Sequence, residues 1–199
     1  MPPSPEHSEP FERTLERAAR GDDSAWRTIV ELYYGRVFGL IKAHCSDPDL
    51  AEEITQSTFC TIASKLRAYE EQGKFESWLF HIAMNRLRDE MRRRKRHAAS
   101  TDEQALQGLA AAPFATGGAE SAEALGADPE TREKLRSALA RLSESDQITV
   151  HLRHVAGLSF ARIAEVLGQP IGTVLARHHR ALRKLKELLE QAGGHQGPD

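Results

Sequence analysis

Residues 158–185 read LSFARIAEVLGQPIGTVLARHHRALRKL, and this stretch decides the fold of the C-terminal half. Ser159 can cap a short helix, and Gly168 permits the left-handed backbone conformation that ends it. Pro170 then prevents the helix from continuing through the turn. A second helix follows, with Thr173 predicted as its cap. Two short helices joined by such a turn are typical of a helix-turn-helix motif.

The second helix of this motif has an apolar face and a basic face. From residue 171 to residue 186 there are five basic residues and no acidic one. Such a face can enter the major groove and neutralise phosphates, although a basic, solvated helix is the alternative. The 3.6-residue period predicts five inward side chains: Val174, His178, Ala181, Leu182 and Leu185. It places on the outward face Leu175, Ala176, Arg177, His179, Arg180, Arg183 and Lys184.

The N-terminal half also shows helical patterns. A first helix is predicted from residue 11 to about residue 20, and Asp22, Asp23 or Ser24 can cap the next one. Asp47 is predicted to cap a third helix, because a proline follows it in the position of the first turn. No segment alternates with a period of two, so the sequence predicts an all-α fold.

A fourth helix is predicted to begin near Phe75 and to end in a cluster of cations. Residues 86–97 contain seven Lys or Arg residues against two acidic ones. Asn85 can offer both a donor and an acceptor to a base, and aromatic side chains lie upstream. Aromatic and cationic side chains together suit unpaired nucleic acid. The alternative places Phe75 and Trp78 in the core and the arginines at a polar helix end.

The composition changes after His97. No lysine or arginine occurs again until Arg132, whereas six acidic residues and many alanines do, which is typical of a flexible linker. The sequence therefore predicts two small helical domains joined by an acidic linker, the second domain being the helix-turn-helix. The predicted boundaries are a disordered N-terminus at 1–10, a domain at 11–97, a linker at 98–128, a domain at 129–191 and a disordered tail at 192–199.

The composition argues against several other classes of protein. The two cysteines form neither a disulfide framework nor a zinc pattern, and they fit a reducing cytoplasm. The N-terminus does not resemble a signal peptide, and no apolar run is long enough to cross a membrane. Nine histidines raise the alternative of a metal-dependent hydrolase, but His151 and His154 have no acidic residue beside them. We therefore expect a cytoplasmic protein without membrane insertion, cofactor, metal site or catalytic residues.

The order of these motifs resembles the sigma-70 family of RNA polymerase sigma factors, in its compact extracytoplasmic-function (ECF) group. Residues 49–59 resemble the helix that binds the polymerase clamp in that group. Residues 75–96 resemble its −10 recognition region, residues 128–130 the entry to its fourth region, and residues 142–185 its −35 reader. The resemblance covers nearly all of residues 11–190.

The resemblance implies a specificity subunit whose partners are promoter DNA and core RNA polymerase, through its clamp and flap regions. It leaves open an anti-sigma factor as a further partner. A stand-alone helix-turn-helix regulator is the alternative function, but it leaves the arginine-rich fourth helix unexplained. For polymerase binding the resemblance implies Glu52, Glu53, Gln56 and Phe59. For unpaired −10 DNA it implies Tyr69, Lys74, Trp78, Asn85, Arg88, Arg92 and Arg93. For −35 DNA it implies Thr173, Leu175, Ala176, Arg177, His179, Arg180, Arg183 and Lys184.

The sequence departs from the family pattern within the helix-turn-helix. A basic residue and a serine are common where Leu175 and Ala176 stand, and an acidic residue is common where Arg162 stands. The −35 sequence that this chain reads is therefore expected to be atypical.

Overall fold

The computed structural model describes residues 9–45, 47–100 and 128–193. Within these ranges the regular structure is entirely helical, which confirms the predicted all-α class. The eight helices described, in chain order, are α1 (Glu9–Ala19), α2 (Asp23–Lys42), α3 (Pro48–Leu66), α4 (Phe75–Ser100), α5 (Pro129–Ala140), α6 (Glu144–His154), α7 (Phe160–Leu167) and α8 (Ile171–Gly193).

Four helix ends lie at capping residues that the sequence predicts. Asp22, one of three candidates, caps α2, because its carboxylate accepts hydrogen bonds from the next backbone N–H groups. Asp47 does the same for α3. Ser159 caps α7, and Gly168 ends it with a φ of 62°, a left-handed conformation that costs a residue with a Cβ about 1 kcal/mol or more.

Two predictions about α8 are wrong. Thr173 does not cap this helix, which already begins at Ile171, because the Pro170 carbonyl accepts the first hydrogen bonds, from Thr173 N at 3.0 Å and Val174 N at 3.3 Å. Leu182 does not pack inward either: its exposed fraction is 40%. The buried face of α8 is therefore narrower than the apolar stripe in the sequence.

Three segment boundaries also differ from the predicted ones. α1 begins at Glu9, inside the range expected to be disordered, because Pro10 is tolerated in the first turn of a helix. α4 continues to Ser100, past the predicted boundary at residue 97, through alanines that favour helix. α8 continues to Gly193, past residue 191. The rest of the predicted termini and linker, at 1–8, 101–127 and 194–199, lies outside the described residues.

The N-terminal domain consists of α1–α4 around a core of aromatic and aliphatic side chains. Tyr33, Phe75 and Phe80 are among its largest fully buried side chains. Phe11 from α1 contacts Phe75 edge-on, with ring centroids 5.6 Å apart. The C-terminal domain has its own smaller core between α5, α6 and α8, formed by Ala138, Leu139, Leu142, Val150, Ala181, Leu185 and Leu188.

The two domains pack directly against each other, which the sequence did not lead us to expect. α7 lies against α4, and the C-terminal domain adds side chains to the main core of the N-terminal domain. Burial of apolar side chains is the dominant favourable term in such contacts. The shared side chains are Ile148, Leu152, Ala156, Leu158, Ile163, Val166 and Val174.

A buried ion pair lies beneath this interdomain contact. The Arg36 guanidinium of α2 pairs with the Glu76 carboxylate of α4, whose side chain has no exposed surface. Arg36 Nε also donates a hydrogen bond to the Ala156 carbonyl, at 2.7 Å. The guanidinium carbon lies 5.4 Å and 5.3 Å from the ring centroids of Tyr33 and Phe80. One arginine therefore links two helices of the N-terminal domain to the connection between α6 and α7.

Two glycines of α2 provide a test of the interdomain contact. A Cβ at Gly39 would lie 3.1 Å from Val155 Cγ1, whereas a Cβ at Gly35 would meet no atom within 4 Å. Gly35→Ala should stabilise the chain by about 0.5–1 kcal/mol, because alanine favours helix. Gly39→Ala has the same intrinsic gain but crowds Val155, so we expect a smaller gain or a loss. Equal midpoints for the two variants in urea unfolding would contradict close packing at Gly39.

Candidate nucleic-acid and polymerase interface

The acidic face of α3 is exposed and internally ordered. Glu53 and Gln56 are exposed, and Glu52 is half-buried. Gln56 Nε2 donates to Glu52 Oε1 at 2.8 Å, and the Tyr34 hydroxyl donates to the other Glu52 oxygen. This bond raises the pKa of Tyr34 to about 12 and lowers the pKa of Glu52. The α3 face therefore presents the Glu52 carboxylate, held by Gln56 and Tyr34, with the exposed Glu53 carboxylate beside it.

Phe59 lies on the inner side of α3, and its role in polymerase binding stays a prediction. Only 6% of it is exposed. Its ring stacks on Tyr34, with centroids 5.9 Å apart, and meets Trp26 edge-on at 6.3 Å. Because the side chain faces the core, Phe59 supports the α3 face from beneath.

The C-terminal part of α4 forms a basic surface. Asn85 is exposed and Arg88 is half-buried. Arg93 is exposed and donates to Glu90 through two nitrogens, at 2.8 and 3.0 Å. Arg92 lies 3.8 Å from Asp89. Exposed ion pairs of this kind contribute little to stability, so their arginines can exchange these carboxylates for phosphates at small cost.

An aromatic cluster lies at the start of α4. Tyr69 and Trp78 are half-buried and stack on each other, with ring centroids 4.5 Å apart and planes inclined by 28°. Phe75 is 1% exposed and contacts both rings. Phe75 is thus a core residue, whereas Tyr69 and Trp78 are only partly covered.

Helix α7 of the C-terminal domain lies on the loop before α4. The Arg162 guanidinium donates a hydrogen bond to the Gly73 carbonyl, and Ser77 Oγ donates to the Glu165 carboxylate. Lys74 Nζ lies 4.0 Å from Glu165 Oε1. One residue predicted to bind DNA, Lys74, therefore faces the other domain. The interdomain bond also gives a physical reason for the arginine at position 162.

The outward face of α8 is available to a partner. Most of the residues predicted there are exposed, and Arg177 is half-buried. Arg177 Nη1 donates to Gln169 Oε1 at 2.7 Å, which fixes this guanidinium beside the turn of the motif. The fully outward residues are Thr173, Leu175, Ala176, His179, Arg180, Arg183 and Lys184.

Four histidines form two contacting pairs in and beside the interdomain contact. His44 Nε2 and His151 Nδ1 are 3.1 Å apart, and both side chains are buried. His154 Nε2 and His178 Nε2 are 3.0 Å apart. Burial is the main cause that lowers the pKa of all four rings, that of His151 to about 4. Nearby positive charge adds to the effect, from a neighbouring histidine at His44, His151 and His178 and from Arg153 at His154. At neutral pH these rings are uncharged, and His178 packs inward as the period of α8 predicts.

Because the pKa values of the paired histidines are lowered in the folded chain, we expect its free energy of unfolding to fall on acidification. The pKa of His151 is about 4 in the folded chain and 6.5 in a free imidazole, so the unfolded state binds more protons between these values. The contribution of the uncharged His151 ring to the free energy of unfolding is therefore complete above pH 6.5, and it falls as the pH decreases toward 4. At pH 5 the loss from His151 alone should be roughly 2 kcal/mol. Denaturant midpoints measured between pH 7.5 and pH 5 test this expectation.

A matched pair of variants isolates the histidines from the carboxylates that titrate in the same range. His44→Gln with His151→Gln should flatten the pH profile of stability. His179→Gln, at an exposed position of α8, should leave the profile as in the wild type. An unchanged slope in the double variant would contradict the assignment.

The interdomain residues were not identified by the sequence analysis. Arg36 and Glu76 are separated by 40 residues, and His44 and His151 by 107, so no local pattern joins them. The departure from the family pattern at Arg162 indicates a special role for this side chain, but it does not reveal that the bonding partner is the Gly73 carbonyl of the other domain.

The described residues define a helix-turn-helix DNA-binding protein with a second, aromatic and basic surface on a separate domain. Within the described ranges no helix is long and apolar enough to cross a membrane. In the same ranges no group of three or more His, Cys, Asp or Glu side chains is arranged to hold a metal ion.

Comparisons with known proteins identify the family. Residues 29–97 match Sigma-70 region 2, and residues 132–185 match Sigma-70, region 4. The RNA polymerase sigma factor CarQ of Myxococcus xanthus is 31% identical over 175 residues, covering 88% of this chain and 95% of CarQ. The ECF RNA polymerase sigma-E factor of Escherichia coli K12 is 28% identical over 171 residues, covering 84% of this chain and 87% of that protein. The chain belongs to the sigma-70 family of RNA polymerase sigma factors, in the ECF group, and directs promoter-specific transcription initiation.

Solved structures share the fold. CnrH, determined in complex with the cytosolic domain of CnrY, matches with a TM-score of 0.64 and 20% identity, over 89% of this chain and 96% of CnrH. The sigma factor RpoE from Bartonella quintana, determined with the anti-sigma factor NepR, matches with a TM-score of 0.64 and 24% identity. That match covers 82% of this chain and 96% of the RpoE chain.

Proposed function

We propose that the N-terminal domain docks on the polymerase clamp through Glu53 and Gln56 and captures unpaired −10 bases through α4. The observation that carries this assignment is the exposed, acidic α3 face beside the basic surface of α4, on one small domain. A pocket of about 300 Å³ lies between α3 and α4. Its lining includes acidic side chains, such as Glu53, and basic ones, such as Arg86 and Arg96. Two different partners can therefore meet this domain on neighbouring surfaces.

The proposed roles on α4 divide between base and phosphate contacts. Asn85 is exposed at mid-helix and can pair with the edge of an unstacked base. Tyr69 and Trp78 offer ring edges to such a base, and Arg88, Arg92 and Arg93 follow at helical spacing, where they can hold phosphates of the same strand. Lys74 is proposed to contact the DNA as well, after α7 has moved away from the loop before α4.

The C-terminal domain is proposed to bind duplex −35 DNA through the outward face of α8. Arg177 and Arg180 lie toward the start of the recognition helix, where side chains reach base edges. Arg183 lies further along and is proposed to contact phosphate. A basic recognition helix also gives binding a strong dependence on salt.

The packed arrangement of the two domains has to open for this function. α7 occupies the loop at Gly73 and Lys74, which belongs to the proposed −10 surface. Polymerase binding is proposed to favour the separated form, because a ligand shifts an equilibrium toward the state it binds more tightly. An anti-sigma factor is proposed as a further partner, by analogy with the solved relative of Bartonella quintana. Location in the cytoplasm and a non-catalytic role complete the proposal.

The docking assignment is tested with a double variant of the α3 face. Glu53→Lys with Gln56→Ala should lower affinity for core polymerase at least about tenfold, since reversing a charge at a complementary surface costs several kcal/mol. The fold should be unchanged, because both side chains are exposed. Affinity is measured by titrating labelled chain with core enzyme.

Glu31→Lys provides the control, since it makes the same charge reversal at an exposed position of α2. We expect its affinity for core polymerase to remain within about twofold of the wild type, as surface substitutions are usually small in effect. Wild-type affinity in the double variant would remove the clamp contact from α3. Specific binding of duplex DNA without polymerase would instead favour a stand-alone regulator.

A further inference from the structure

Apolar side chains cluster at the start of the recognition helix α8. Among the described residues, the exposed large hydrophobic side chains are Leu32, Ile171, Leu175 and Leu182, so three of the four lie on this one helix. Ile171 and Leu175 are 49% and 37% exposed and stand one turn apart, so their side chains are neighbours on the helix surface. Exposed Ala176 extends this apolar patch.

The position of the patch distinguishes it from ordinary surface leucines. Single exposed apolar residues are common and need no explanation. This patch, however, occupies the first two turns of a recognition helix, the part that reaches base edges in the major groove. The chain therefore presents carbon in the part of the helix that is placed to reach base edges.

We propose that Leu175, together with Ile171, reads the 5-methyl groups of thymines in the −35 duplex. The thymine methyl is the distinctive apolar group that base pairs display in the major groove, and apolar side chains contact it directly. The inference rests on the proposed binding of α8 to −35 DNA, and it adds the base determinant that the patch selects.

The arginines of α8 complement this readout. The Arg177 guanidinium is held by Gln169, and Arg180 is fully outward. Arg180 lies about 7.5 Å further along the helix axis than Leu175, so the two side chains meet different base pairs. Leu175 then selects thymine near the start of the helix, and Arg180 selects guanine at a neighbouring pair.

Replacing thymine by deoxyuridine tests the methyl contact, because it removes the methyl group and leaves the pairing unchanged. The preferred −35 duplex is first selected from a randomised pool with the complex of core polymerase and full-length chain. Each thymine is then replaced singly. Burial of one methyl group is worth about 0.8 kcal/mol, so at least one replacement should weaken binding about three- to fivefold. In Leu175→Ala this loss should shrink to less than about 1.5-fold.

Leu182→Ala is the matched control. It makes the same change to a leucine that is 40% exposed on the same helix, about 10 Å further from the helix start. This variant should retain the wild-type response to deoxyuridine. Leu175→Arg should move the selected sequence away from thymine and toward guanine at the same position.

Three results would overturn the inference. The first is a selected duplex in which no thymine methyl matters, and the second is a methyl effect that persists in both Leu175→Ala and Ile171→Ala. The third is a loss of affinity for core polymerase in Leu175→Ala with the methyl effect intact, which would assign the patch to a protein contact. If no duplex sequence is selected at all, the result contradicts the proposed binding of α8 to −35 DNA, and this outcome is distinct from the three results above.

Discussion

Asn85→Ala is expected to lower promoter opening by about 10- to 100-fold while initial duplex binding stays within about twofold. A side-chain amide that pairs with a base edge is worth about 1–3 kcal/mol of discrimination, and this contact exists only after the base leaves the stack. Asn85 is exposed on α4, so its removal should not disturb the core. Permanganate footprinting of promoter thymines measures opening, and gel mobility shift at low temperature measures duplex binding.

The comparison of Asn85→Ala with the wild type requires two controls. Ser64→Ala alters an exposed polar side chain of α3 on the same domain and should open promoters as the wild type does. The free chain without core polymerase should open nothing, because unstacking costs a few kcal/mol per base and so small a domain offers few compensating contacts. Opening by the free chain, or equal loss of duplex binding and opening in Asn85→Ala, would contradict the assignment.

Arg36→Ala is expected to destabilise the chain by about 3–5 kcal/mol, because it leaves the buried Glu76 carboxylate without a cation. It also removes the hydrogen bond to the Ala156 carbonyl across the interdomain contact. Both tryptophans, Trp26 and Trp78, lie in the N-terminal domain, so their fluorescence follows the unfolding of that domain. The fluorescence transition should move to markedly lower denaturant concentration.

The neutral double variant Arg36→Met with Glu76→Gln separates charge from packing. It should recover a large part of the lost stability, because replacing a buried ion pair by well-packed neutral groups is often tolerated. Arg27→Ala, at an exposed position of α2, should change stability by less than about 0.5 kcal/mol. A small effect of Arg36→Ala, comparable to that of Arg27→Ala, would show that the pair does not anchor the interdomain contact.

Local features of the fold were predictable from the sequence because their causes are local. Asp22, Asp47 and Ser159 cap helices by accepting hydrogen bonds from N–H groups two or three residues away. Gly168 ends α7 through its own backbone conformation. The exposed acids of α3 and the arginines of α4 were predictable for the same reason, since the helical period alone places them on the surface.

The interdomain contact was not predictable, since it depends on how two separately patterned domains fit together. The burial of Phe59 and the exposure of Leu182 show this on a smaller scale. Leu182 follows the apolar period of α8 and is exposed, whereas Phe59, implied as a polymerase-binding residue, is buried, because the position of the neighbouring helices decides which side chain is covered. Arg162 and Glu165 resemble ordinary surface charges in the sequence, yet both bond to the other domain.

The packing of α7 on α4 also limits how far apart the two DNA-binding surfaces can lie. Promoter elements named −10 and −35 are separated by about 25 base pairs, which is about 85 Å along B-form DNA at 3.4 Å per pair. Helices in direct contact cannot address both ends of such a span. With the proposed roles of α4 and α8, one chain can hold either its interdomain contact or both promoter elements. Each engagement of a complete promoter therefore gives up the contact between α7 and α4, and the free energy of that contact is subtracted from the affinity for DNA.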